Sequence, residues 1–125
     1  MEVLRMKTNV NILGTEYKIE MHKISEDKEM KENNWAGYCN ELTKTIIYAD
    51  TSEEEYFPYM WDEEKKIYTK STLRHEIIHA FLNESGLSDN ANRYSQSWAR
   101  NEEMVDWIAI QSPKINKVFQ ELELL

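Results

Sequence analysis

The sequence predicts an α+β fold: a small antiparallel or mixed sheet packed on helices. Three observations lead there. Residues from about 8 to 50 alternate apolar and polar positions between turn signals, as strands do. From about residue 70 the apolar spacing becomes helical. Two of the helical stretches also carry polar side chains at one-turn spacing, in His75-Glu76-Ile77-Ile78-His79 and in Asn101-Glu102-Glu103-Met104-Val105-Asp106. At 125 residues the chain makes one domain, residues 1–125. That is room for a single core but not for a separate substrate-binding domain.

Val10, Ile12 and Leu13, then Gly14-Thr15, then Tyr17, Ile19 and Met21 predict a hairpin with alternating burial. Ser25 to Asn34 is polar and charged, a loop or one short helix. Tyr38-Cys39 and Thr45 to Ala49 predict two further strands, joined by a polar turn at Asn40 to Lys44. Thr45 to Asp50 is the candidate sheet edge, either an ordinary edge or one that pairs with extended peptide. Residues 52–66 read as a loop. In it Tyr56, Phe57, Tyr59 and Trp61 stand between the acidic runs Glu53-Glu54-Glu55 and Asp62-Glu63-Glu64. Such aromatics more often pack under helices than cover a cleft.

The next helix spans about 70–85. Thr69, Ser71 and Thr72 offer N-cap side chains, and Gly86 supplies the stop. Leu73, Ile77, Ala80 and Phe81 form its core stripe. A polar loop at Ser88 to Gln96 leads to a helix at about 98–111. Ser112-Pro113 then gives a cap and first-turn proline to a last helix at about 113–124, with Ile115, Val118, Phe119 and Leu122 as its core stripe.

His75 to His79 reads HEIIH, the HExxH pattern of zinc metallopeptidases. At about 100° per residue, His75, Glu76 and His79 fall within roughly one third of the helix circumference. Two imidazoles one turn apart can close on one metal ion while Glu76 points at its open side. Zn²⁺ held by two imidazoles and a carboxylate keeps one position for water and lowers that water's pKa to about 7. Glu76 then takes the proton as the water attacks a carbonyl, and hands it to the leaving nitrogen.

Two histidines do not make a tight site, so a third protein ligand is expected downstream. No histidine follows His79, and no Asp stands shortly after the motif in the place a metzincin-like sequence would fill. Asn101 to Asp106 matches the N-E-x-x-x-D pattern of the thermolysin-like peptidases, the gluzincins. Asn11 to Tyr17, Gly37-Tyr38-Cys39, Leu73 to Leu82 and Trp98 to Ala109 follow one another as in small phage and prophage proteins of bacteria. Over nearly its whole length the chain thus resembles minimal gluzincin-type metallopeptidases. The resemblance implies that Glu102 is the third zinc ligand. It also implies that Asp106, one turn on, accepts a hydrogen bond from the far nitrogen of a ligand histidine, His75 the first choice, and fixes its tautomer. Glu103 is the rival, about 100° away around the helix. Glu102 is favoured because it lies one turn from Asp106, on the side that Val105 and Ala109 flank.

Net charge is −8, which disfavours nucleic acid and anionic membranes as partners. Cys39 is the only cysteine, so no intrachain disulfide forms; it reads as a small buried strand residue. The N-terminus lacks the apolar run of a signal peptide and no transmembrane stretch occurs, which predicts a cytoplasmic protein. The functional expectation is a zinc metallopeptidase acting on a peptide or protein substrate. A non-catalytic zinc-binding interaction module and a metal-dependent amidase are the alternatives. Glu76 favours catalysis, because a structural site has no use for a base. His22, Tyr94 and Arg100 are candidates to steady the oxyanion, and the sequence leaves the oligomeric state open.

Overall fold

Gly14 turns the chain at φ +94°, a conformation suited to glycine, and its N–H donates to Asn11 Oδ1 at 2.8 Å. The turn closes the expected hairpin, β1 (Asn9–Ile12) antiparallel to β2 (Thr15–His22). These strands open a computed structural model that describes residues 9–87 and 98–125. The N-terminal segment, the polar loop at 88–96 and Tyr94 lie outside the described residues. A 3-10 turn, Ile24–Glu26, then leads into α1 (Lys28–Asn33), which Asp27 caps by accepting from Met30 N at 3.0 Å. β3 (Gly37–Asn40) and β4 (Thr45–Ala49) complete a mixed sheet of order β1-β2-β4-β3, with β4 parallel to β2 and antiparallel to β3.

β4, expected at the sheet edge, is interior and buried at all five positions. Ile46 and Tyr48 join the core beneath the long helix, together with Ile12, Tyr17, Leu73 and Ala80. Ile47 and Ala49 join a second core on the other face, with Ile24, Met30 and Phe57. An apolar run without polar alternation is what a strand covered on both faces requires. The edge strand beside the long helix is β3.

That helix, α2 (Asp62–Glu84), starts well before residue 70. Thr69, Ser71 and Thr72 are therefore interior positions, and Trp61 is the N-cap. Glu64 Oε1 accepts from Trp61 N at 2.8 Å, and Asp62, Glu63 and Glu64 fill the first turn, where carboxylates favour the helix dipole. The second half of the expected loop is thus a helix start. Gly86, at φ +88°, stops the helix as expected. Phe57 packs edge-on to Tyr68, and Tyr56 joins it in the second core, whereas Tyr59 and Trp61 are exposed.

The two helices expected at about 98–111 and 113–124 are one. A 3-10 turn, Trp98–Arg100, precedes α3 (Glu102–Glu121), and Asn101 caps it by accepting from Met104 N at 2.8 Å. Pro113 lies inside α3. Its ring holds a helical φ, and the cost is the missing N–H toward the Ala109 carbonyl. Val105 is buried against Ile78, Leu82 and Ala99, and Ala109 is buried one turn on. Ile115, Val118, Phe119 and Leu122 are not core: their exposures are 38, 50, 42 and 63%.

Glu84 at the end of α2 clamps the helix to the sheet. Its carboxylate accepts from Thr15 Oγ1, from Tyr17 Oη at 2.8 Å and from Lys44 Nζ at 3.1 Å. These donors hold its pKa down from 4.5 to about 2. A depressed carboxylate stabilises the fold above the unfolded value and loses that contribution as pH falls from about 4.5 toward about 2. Glu84→Gln is therefore expected to lower Tm at pH 7 and to flatten the acid limb of Tm against pH. Parallel curves for the two proteins would contradict the clamp. Among the described residues no helix is long and apolar enough to cross a membrane.

Candidate metal centre

Helical spacing puts His75, Glu76, His79 and Asn83 along one side of α2, and they line a cavity of about 710 Å³. Trp35, β3 and the residues after it close one wall, while Arg100 and Glu102 close the other. The short cap at Asn101 decides the second wall. By starting α3 at Glu102, it sends that carboxylate toward α2 from the first turn.

Three donor atoms meet. Glu102 Oε1 lies 3.0 Å from His75 Nε2 and 2.9 Å from His79 Nε2, and the two nitrogens are 3.1 Å apart. Ligands at about 2.0–2.2 Å from a tetrahedral Zn²⁺ stand roughly 3.3 Å from one another, so the triangle is close to that size. Asp106 Oδ1 sits 2.6 Å from His75 Nδ1. A carboxylate at that distance holds the proton on Nδ1, which leaves Nε2 of the neutral ring as a lone pair. A lone pair facing a carboxylate oxygen at 3.0 Å repels it unless positive charge stands between them. Protons on the imidazoles could provide that charge, and one divalent cation satisfies all three atoms together. The donor set fits zinc.

Along α2 alone, His75, Glu76 and His79 also form a group whose donor atoms lie within 4.8 Å. Glu76 is the poorer ligand of the two glutamates, because its Oε2 is 3.9 Å from His75 Nε2 against 3.0 Å for Glu102 Oε1. Glu103 does not line the cavity. Glu76 is 7% exposed, and burial pushes its pKa up to about 7. The His75 charge opposes that rise, and Glu102 and Asp106 add to it. A carboxyl in this state can accept and return a proton near neutrality. Burial also holds His79 below its ordinary value, against the pull of Glu102, which favours the neutral ring.

Gly37 lets β3 approach the site. A Cβ there would lie 2.7 Å from Thr72 Cγ2, 3.0 Å from the Ile47 carbonyl and 3.4 Å from Glu76 Cγ. Gly37→Ala must push β3 off α2, at an expected cost of about 1–3 kcal/mol. Urea unfolding measures it, and an unchanged midpoint would contradict this packing. Cys39 is half-buried in the cavity wall and accepts from Asn83 Nδ2 at 3.8 Å. Burial, and the nearby Glu76, push its thiol up to about 12, so it is no nucleophile near neutral pH.

Of the oxyanion candidates, Arg100 lines the cavity, whereas His22 belongs to another cluster. His22 Nδ1 contacts Asp27 Oδ2 at 2.7 Å and Nε2 contacts Glu20 Oε1 at 3.0 Å. None of the aromatics at 56–61 lines the cavity; Trp35 does, 6.0 Å from Tyr38 between ring centroids. Asn83 was legible as the residue one turn beyond His79. Trp35 was not, because only the path of the chain into β3 brings it there. Comparison with family models, curated proteins and solved structures finds no match to this chain.

Proposed function

We propose that the protein is a zinc-dependent metallopeptidase of gluzincin type, with Glu76 as general base and acid. One observation carries the reading. Two separate helices bring His75 Nε2, His79 Nε2 and Glu102 Oε1 within 3.1 Å of each other, beside a buried carboxylate that this ligand set does not need. A zinc ion held by these three residues would supply a Lewis acid and lower the pKa of water to about 7.

The chain's own groups carry the other duties. Asp106 keeps the His75 proton on Nδ1, so that the Nε2 lone pair faces the cavity. Glu76 takes a proton from the attacking water and delivers it to the amide nitrogen, which leaves as a neutral amine. β3 gives the cavity an extended wall, and Gly37 keeps that wall close to Glu76. A peptide laid along the edge strand would present its carbonyl near the donor triangle. The cavity volume leaves room for a few residues of substrate in a chain of this size.

Screening the purified protein against a broad peptide library tests this. The expected result is cleavage that a zinc chelator stops and added zinc restores. Cleavage indifferent to the chelator would overturn the mechanism. Bound zinc without any cleavage would turn the reading to a zinc-binding interaction module.

A further inference from the structure

Met104, Ile108, Gln111, Ile115 and Val118 of α3 and Leu122 at its C-cap follow one another at intervals of four, three, four, three and four residues. This is the heptad spacing of paired helices. The line runs about a third of a turn around α3 from Val105 and Ala109, the buried residues of the helix; Met104, Ile108 and Gln111 are half-buried, and Ile115, Val118 and Leu122 are exposed. From Ser112 to Glu121 every residue of α3 is exposed. An exposed helix of that length is marginal in water without packing of its apolar face.

We infer that the outer half of α3 pairs antiparallel with the same helix of a second copy of this chain. The charges select both the sense and the occupant. In an antiparallel pair centred between Asn116 and Lys117, Ile115 packs against the partner's Val118, and Gln111 packs beside the partner's Leu122. Lys114 then stands beside the partner's Glu121, and Glu121 beside the partner's Lys114, which gives two opposite-charge pairs on one flank. Phe119 covers the other flank against the partner's Ser112. In a parallel pair Lys114 meets the partner's Phe119, and no opposite charges face each other. Both halves of each charge pair lie on one twelve-residue segment, which complements itself as a two-fold contact requires. The segment is only about 18 Å long, so its interface falls short of the roughly 1,200 Å² of the stable class and the association is weak.

Sedimentation equilibrium from micromolar to near-millimolar concentration tests this on the full chain. The wild type is expected to rise from the monomer mass of 15.0 kDa toward twice that value. Lys114→Glu and Glu121→Lys should each weaken association about fivefold, by placing like charges opposite each other. The Lys114→Glu/Glu121→Lys double variant should restore it. Both substitutions are at exposed positions, and an unchanged Tm of the three dilute variants confirms folding. A monomer at every concentration overturns the inference, as does a double variant no better than the singles or a mass beyond the dimer.

Discussion

Glu76→Gln is expected to keep its metal and lose peptide hydrolysis by about 10²–10⁴-fold. The side chain is nearly isosteric, and Glu76 is not in the donor triangle, so zinc affinity should stay close to the wild-type value. What disappears is the carboxylate that moves the proton. The same change has a second readout in metal-free protein. The Glu76 pKa is raised from 4.5 to about 7, so the folded state holds a proton that the unfolded state releases. The Glu76 contribution to stability is therefore fully present below about 4.5 and is lost as pH rises through about 7. Gln removes that loss, and the metal-free variant should melt above the wild type at pH 8. Turnover at the wild-type rate would refute the role of Glu76, whatever the melting curves show.

Glu102→Ala is expected to weaken zinc binding by at least about 100-fold, and Glu103→Ala by less than about twofold. The difference follows from position: Glu102 Oε1 touches both ring nitrogens, and Glu103 lies outside the cavity. Asp106→Asn should fall between them, about 10–100-fold, because it removes the acceptor that fixes the His75 tautomer without removing a ligand. Titration against a competing chelator measures all three. A larger loss in Glu103→Ala than in Glu102→Ala would transfer the ligand role to the neighbour.

The site was more legible in the sequence than the frame around it, and the reason is range. His75, Glu76 and His79 share one helix, so their spacing alone fixes their common face. Glu102 and Asp106 share a second helix in the same way, and the structure brings His75 against both. Boundaries depended on weaker signals. Trp61 lacks the side chain of an ordinary N-cap, so the acidic first turn of α2 read as loop. Ser112-Pro113 read as a helix start because a proline that begins a helix and one that sits within it have the same φ. The Ile115 to Leu122 stripe read as core because periodicity reports an apolar face and not what covers it. The edge position of β3 depended on β4 inserting beside β2, a pairing between distant segments that neither strand's own pattern specifies.

Metal content is the most direct test of the central claim, that α2 and α3 together build a zinc site. Elemental analysis of the purified wild type and His79→Ala, each after exposure to zinc and removal of the excess, decides it. The expected result is one zinc per wild-type chain and a strongly reduced content in the variant. A wild type that takes up no zinc would contradict the account and leave the triangle of His75, His79 and Glu102 as a hydrogen-bonded ion-pair cluster.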